Sequence, residues 1–190
     1  MKSTSPAKLT YEDLLRSPDD GLRHELIDGE HYVTPSPNLP HQRLVGRLFL
    51  AIHDCLTRTG QGEVLLSPLD VVLSDHDVVE PDLLVVLRDQ TEILTPQHVR
   101  GAPAVVIEVL SAGTKRRDET IKWHLYDRVG VREYWLVDPD AASATVWART
   151  EAGQQWSKSE SMASRGDVMA SEAVTDFRLS VADLFGSASH

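Results

Sequence analysis

Cysteine is nearly absent. Cys55 is the only one in 190 residues, so the chain can form no internal disulfide and no thiolate zinc cluster. Long apolar runs are missing as well. Ala102–Val106 is soon followed by Glu108, far short of the roughly 20 apolar residues that cross a bilayer as a helix. The opening MKSTSPAKLTYEDLL has no apolar core, so no secretory leader is expected, and the expected location is cytoplasmic with no membrane partner. Positive charge is in deficit: 19 Lys and Arg against 29 Asp and Glu give a net charge of -10. That excludes a histone-like binder drawn to nucleic acid by its overall field. It leaves room for a nuclease with a local basic surface or a bound metal. The sequence also lacks a phosphate-binding GxxxxGK[ST] loop, a GxGxxG turn after a strand, an HExxH pair and a GxSxG elbow, and its eight histidines have no zinc-ligand spacing.

What is present suits a globular domain. Hydrophobic residues make up 41% and charged residues 25%, with a mean hydropathy of -0.25. A chain of this length buries about 70% of the surface its unfolded form exposes. The expectation is one domain over residues 9–185 between flexible tails at 1–8 and 186–190. Thr10 followed by Asp13 marks a short helix over Tyr11–Arg16. Asp28–Gly29 between Arg23–Ile27 and Glu30–Thr34 is a hairpin signal. Leu44, Val45, Leu48, Phe49, Ile52 and Leu56 recur at steps of three and four, which predicts a helix over His41–Thr59 that ends at Gly60. Cys55 lies beside that apolar stripe as an inert helix residue.

Glu63–Leu73 and Val78–Leu87 read as two strands joined across 74–77. Asp75–His76–Asp77 could in principle hold a cation, but a polar turn explains it better. Ala104–Leu110 and Val131–Val137 read as buried strands on either side of a helix over Lys115–Val129. Further strands are predicted at Ser143–Arg149 and Gln154–Glu160, and a last amphipathic piece at Val181–Phe185. This order favours a mixed sheet with helices on its faces, an α/β (α+β) architecture. Trp123, Trp135, Trp147 and Trp156 are expected to fill core or an interface rather than stack on bases.

The chemistry-bearing residues lie mid-chain. Glu80–Pro81–Asp82 opens the apolar run Leu83–Leu87, and Glu108 interrupts the run Val105–Leu110. A carboxylate inside a buried strand is costly unless it is paired or binds a cation. Two on neighbouring strands can share one hard cation such as magnesium, which takes oxygen ligands and few protein carboxylates. The competing explanation, a basic partner for Glu108 and a strand-mouth position for Asp82, has equal weight on these two runs alone. Asp118, Lys122 and Tyr126 follow at four-residue spacing as one polar stripe, with Ile121 and Leu125 on the adjoining apolar face. The plain alternative for the stripe is a surface Asp118–Lys122 pair.

These blocks together resemble the Uma-two family of restriction-endonuclease-like proteins in the PD-(D/E)XK phosphodiesterase superfamily. The resemblance is carried by Pro81–Asp82, by Glu108 in VVIEVLS and by Asp118, Lys122, Tyr126 and Gly130–Val131. Glu133–Pro139 (EYWLVDP), His24–Glu30 (HELIDGE), Pro35–Ser36–Pro37 and His41 add to it. It runs from about Leu9 to Phe185. It implies a restriction-endonuclease-like mixed central sheet with flanking helices, and Asp82 and Glu108 as ligands of Mg²⁺ or Mn²⁺. The superfamily's lysine stands two residues after the second acid, where this chain has Leu110. The resemblance implies that its role has passed to Lys122 on the next helix. Glu25 matches a further acidic position, and His41 a polar one.

Between Lys115 and Arg132 stand Lys115, Arg116, Arg117, Lys122, Arg128 and Arg132 against Asp118, Glu119 and Asp127, a local excess of +3, with Arg43 and Arg47 on the other long helix. Such groups can meet phosphates, though a solvated helix face is the commoner explanation. The reading is a metal-dependent endonuclease acting on DNA. Asp82, Glu108, Lys122 and Glu25 are its catalytic candidates, and His41, Tyr126, Arg116 and Arg117 would face substrate. A homodimer is expected for cutting two strands. The alternative is a non-catalytic binding or dimerisation module that keeps the nuclease fold.

Overall fold

The computed structural model describes residues 7–18, 20–149 and 154–186. Helix α1, Tyr11–Leu14, is closed by a capping box in which Thr10 and Asp13 satisfy each other's backbone N–H groups. Strands β1 (Arg23–Ile27) and β2 (Glu30–Thr34) form the expected hairpin. Asp28 and Gly29 take φ of 53° and 75°, the left-handed pair that a two-residue turn needs. Helix α2 runs Leu39–Thr59, two residues longer at its start than the periodicity suggests. Asn38 accepts from His41 N as its N-cap, Pro40 fits the first turn, and Gly60 ends it at φ 66°.

The two long strands expected over 63–73 and 78–87 are each broken in two. β3 (Gly62–Leu66) and β6 (Leu83–Leu87) pair in one sheet, while β4 (Val71–Ser74) and β5 (Asp77–Val79) pair in another. Pro68 and Pro81 stand at the breaks, where the chain lacks a ladder donor and changes sheet. The turn at 74–77 is present as predicted, and Asp77 is bound there by Ser74 and Arg128. The remaining strands are β7 (Val99–Arg100), β8 (Val105–Val109), β9 (Glu133–Asp138), β10 (Ser143–Ala148), β11 (Ser157–Met162), β12 (Val168–Ala170) and β13 (Arg178–Ser180). β11 starts three residues later than expected, and β7 and the β12–β13 hairpin were not foreseen.

The six-stranded sheet has the order β11-β10-β9-β8-β6-β3, and the five-stranded sheet β2-β1-β5-β4-β7. In the larger sheet β8 and β9 are parallel and the other pairs antiparallel. The parallel pair needs a crossover, supplied by helix α3 (Lys115–Arg117), a π-helical turn (Asp118–Lys122) and helix α4 (Trp123–Val129). A short helix α5, Val181–Phe185, packs back as predicted.

Alternation sorts the larger sheet's side chains. Leu83, Val85, Ile107 and Trp135 pack with Leu48, Ile52 and Leu56 of α2. Leu84, Val86, Val106, Tyr134 and Leu136 pack with Leu125 and Tyr126 of α4. The tryptophans fill core: Trp135 is fully buried, and Trp123 meets Trp147 and Trp156 edge-to-face at 5.4 Å each. Cys55 is buried in the α2 layer. Of the expected tails, residues 1–6 and 187–190 lie outside the described residues, and Lys8 is ion-paired with Asp28.

Candidate active site

Asp82 immediately precedes β6 and Glu108 lies in β8. The antiparallel register pairs Leu83 with Ile107 and Leu84 with Val106. One step further it sets Asp82 opposite Glu108. By the same alternation both side chains share the face of Leu84 and Val106, the face that α4 covers. Asp82 Oδ2 accepts from Val109 N at 2.8 Å, which ties the two strands together at this point. Both acids are almost wholly buried, at 4% and 3% exposure.

The crossover helix delivers the base. Residues four apart drift by roughly 40° in a regular α-helix, but the wide turn at Asp118–Lys122 takes that drift back. Asp118, Lys122 and Tyr126 therefore all face inward and are buried. The same turn swings Ile121 outward to 38% exposure, so it does not join Leu125 on an apolar face as the spacing suggested. Lys122 Nζ lies 2.8 Å from Glu108 Oε1, and Tyr126 OH donates to the same oxygen at 3.2 Å. Asp118 Oδ1 is 3.8 Å from the ammonium and makes no hydrogen bond among the described residues. The sequence alternative of an exposed Asp118–Lys122 pair is excluded by this burial.

The smaller sheet contributes from the other side. Glu25 on β1 accepts from Glu80 N at 3.0 Å and from Lys122 Nζ at 2.8 Å, and Arg117 Nη2 lies 3.3 Å from its second oxygen. Arg117 also donates to Thr34 Oγ1 and lies over the Tyr32 ring. Arg23, two residues before Glu25 on β1, donates to Asp82 Oδ1 at 2.7 Å. His41, in the first turn of α2, donates from Nε2 to Asp82 Oδ2 at 3.0 Å. The sequence reading missed Arg23. The period of two from Glu25 along β1 was the signal available for it.

The charges do not balance. Glu25, Asp82, Glu108 and Asp118 are four buried acids, and Arg23, Arg117 and Lys122 are three permanent bases. Burial opposes ionisation of Asp82 and Glu25. His41 and Arg23 outweigh it for Asp82, Lys122 and the Glu80 N–H for Glu25, so both pKa values fall below the ordinary range. Glu108 goes the other way. Burial, only partly offset by the Lys122 charge and reinforced by Asp118, Asp82 and Glu25, pushes it up to about 8. Burial raises Asp118 as well. Burial disfavours the Lys122 ammonium, but the surrounding carboxylates hold its pKa above the usual lysine value. One further positive charge would let all four acids ionise together.

A 420 Å³ cleft opens onto this cluster, lined by Arg23, His41, Asp82, Glu108, Arg117 and Lys122 among others. Among the described residues no three His, Cys, Asp or Glu side chains form a closed metal cage. The two carboxylates that line the cleft are oxygen donors of the kind a hard cation takes beside water and phosphate, and in this structure their oxygens are held by Arg23, His41, Val109 N, Lys122 and Tyr126. Of the sequence candidates, Asp82, Glu108, Lys122, Glu25, His41, Tyr126 and Arg117 converge. Arg116 is exposed and lies outside the cleft lining.

The family model for Uma2, described as "Putative restriction endonuclease", matches residues 11–182. The chain belongs to the Uma2 family. Among solved structures, a crystal structure of a "putative nuclease belonging to DUF820" from Anabaena variabilis aligns with a TM-score of 0.76 at 20% identity, covering 93% of this chain and 97% of that one. At that identity the likeness shows the fold, which is the restriction-endonuclease-like architecture. No curated protein matches. The Uma2 match spans the β1–β2 hairpin, both acid-bearing strands and the crossover helix, so every residue of the cluster lies inside it. No described helix is long and apolar enough to cross a membrane.

Proposed function

We propose that the chain is a metal-dependent endonuclease that hydrolyses phosphodiester bonds in DNA, with Asp82 and Glu108 holding one Mg²⁺ or Mn²⁺ ion. The observation that carries this is that two buried carboxylates, on neighbouring positions of adjacent strands, line the floor of an open cleft beside a buried lysine. Bound there, the cation would supply charge to the scissile phosphate and lower the pKa of the attacking water.

The chain's own residues take the remaining roles. Arg23, His41 and Val109 N fix both oxygens of Asp82, so that its carboxylate is oriented before any ligand arrives. Tyr126 fixes Glu108 in the same way. Lys122, shared between Glu108 and Glu25, orients the water or offsets charge that develops on the phosphate. Arg117 stands at the cleft wall for a non-bridging phosphate oxygen. Glu25 positions Lys122 and Arg117.

The rival reading, a non-catalytic binding module, called for a lysine paired away from the acids. Lys122 stands among the acids, 2.8 Å from Glu108, which fits the enzyme; the same contact is also the basic partner that the competing explanation gave Glu108, so the cleavage assay decides between them. The domain over 9–185 would act as a two-fold dimer on duplex DNA, and light scattering near 21 kDa at micromolar concentration would count against that. A cleavage panel of plasmid, linear, single-stranded and branched DNA with and without Mn²⁺ tests the activity. Cleavage by the wild type and none by Glu108→Gln is the expected result; equal products from both would refute it.

A further inference from the structure

On the far side of Asp82 from Lys122 a second cavity of 470 Å³ continues the catalytic cleft, and Arg23, His41 and Asp82 line both. Its size lies within the range of clefts that take small ligands, roughly 300–1,000 Å³. One wall is a face of α2 made by Gln42, Val45, Gly46 and Phe49, which share a side at steps of three and four. The opposite wall is Leu66, Ser67 and Pro68 at the end of β3. Leu66 is 39% exposed and Leu22, at the rim, 41%, so apolar surface here has no partner among the described residues. Besides Arg23, His41 and Asp82, the cavity's polar groups are those of Thr34, Ser36, Gln42, Ser67 and Glu80.

Gly46 is the informative residue. A glycine inside a helix destabilises it relative to alanine. Glycine is usually kept there because a Cβ would collide, yet a Cβ at Gly46 meets nothing within 4 Å. Close packing within the chain therefore does not require it. Its Cα faces the cavity, so the missing side chain leaves the groove between Phe49 and Pro68 wide enough for a flat group.

We propose that this groove binds a nucleobase of the substrate strand, unstacked from its neighbours and lying between the α2 face and the Leu66–Pro68 segment. The inference rests on the phosphodiesterase reading and extends it. Asp82 lines both spaces, so an occupant of the groove is the immediate neighbour of a phosphate held in the cleft. A space with apolar walls from Val45, Phe49, Leu66 and Pro68, hydrogen-bonding groups around them and a carboxylate, Glu80, in its lining fits a base better than it fits a second phosphate. The substrate is then single-stranded or locally opened nucleic acid, because a base held in a duplex stack cannot enter.

The test compares a deoxynucleoside 5′-monophosphate with deoxyribose 5-phosphate, each titrated in Mg²⁺ buffer into the wild type, Gly46→Ala and Gly46→Leu, and followed by calorimetry. The wild type should bind the nucleotide at least about tenfold more tightly than the base-free sugar phosphate, the size of effect that base stacking on protein produces. Gly46→Leu, which fills the groove from a helix-favouring residue, should melt no lower than the wild type and lose that preference. Gly46→Ala should keep part of it. A preference retained in Gly46→Leu, or no preference in the wild type, overturns the proposal. DNA cleavage is assayed on the same preparations. Cleavage without nucleobase preference defeats the groove alone. Nucleobase preference without cleavage of any DNA defeats the phosphodiesterase reading and leaves the groove as a nucleotide site.

Discussion

Lys122 Nζ donates to Glu108 Oε1 across 2.8 Å, and both groups are almost wholly buried. The ammonium is thus also a structural cation, held among Glu108, Glu25 and Asp118. Lys122→Met removes it and leaves buried carboxylates without their partner. The expected cost is about 3–5 kcal/mol in urea unfolding. Adding Glu25→Gln should recover part of that loss. Cleavage by the folded double variant should stay down by on the order of 10²–10⁴ in single-turnover measurements. Wild-type turnover in the double variant would reduce Lys122 to a structural role.

Metal binding should stabilise the fold. Mn²⁺ at a hundred times its dissociation constant adds about 2.7 kcal/mol, read as a rise in melting temperature. Asp82→Asn combined with Glu108→Gln should abolish that rise. An unchanged Mn²⁺ titration in the double variant would place the ion elsewhere.

Glu108 also sets a pH dependence. Its native pKa of about 8 lies above the ordinary 4.5, so between those values the native state binds the extra proton. That share of the metal-free protein's stability is lost as pH rises through the window. Asp82 and Glu25, with lowered values, act oppositely: they stabilise above the ordinary carboxylate range, and that share is lost as pH falls below it. Glu108→Gln should flatten the decline between pH 5 and 8, roughly the window these values define. Because the ion needs the carboxylate, its binding at pH 7 should release about one proton, seen as buffer-dependent heat in calorimetry. Buffer-independent heat would show Glu108 already ionised.

Glu133 supplies a contrast. It is fully buried, yet Trp135 Nε1, Ser171 Oγ, Glu172 N and Ala173 N all donate to it within 2.6–2.8 Å. It pins β9 to the turn at 171–174 and lies outside the cleft lining. Glu133→Gln puts an amide N–H₂ against donors and should cost about 2–5 kcal/mol. Cleavage by the folded fraction should be unchanged, and a specific loss of turnover would bring Glu133 into the site.

Much of this was legible in the residues. Carboxylates inside apolar runs marked Asp82 and Glu108, because burial makes an unpaired acid expensive whatever the fold. The four-residue stripe marked Lys122 and Tyr126. Three things were hidden. The breaks at Pro68 and Pro81 divide apolar runs that periodicity alone reads as continuous, so the second sheet, and with it the route by which Glu25 reaches the site, was not apparent. Arg23 opens an ordinary hairpin strand, and only the pairing of sheets gives it Asp82. Ile121 has the right spacing for a regular helix and the wrong one for a helix with a wide turn.

That wide turn bears on how the chain can change length. In a regular helix one residue is about 100° of rotation, so a single insertion or deletion normally spoils every contact downstream. Here the turn at Asp118–Lys122 already accommodates a surplus residue. Deleting Glu119 or Thr120, both exposed, would give regular α geometry and a locally better helix. It would leave Lys122 and Tyr126 close to their present orientation, because one turn of α-helix holds one residue fewer than the wide turn it replaces. The segment that carries the lysine is therefore one place in the crossover where the chain can lose a residue and still present its base to the site, which a regular helix would not allow.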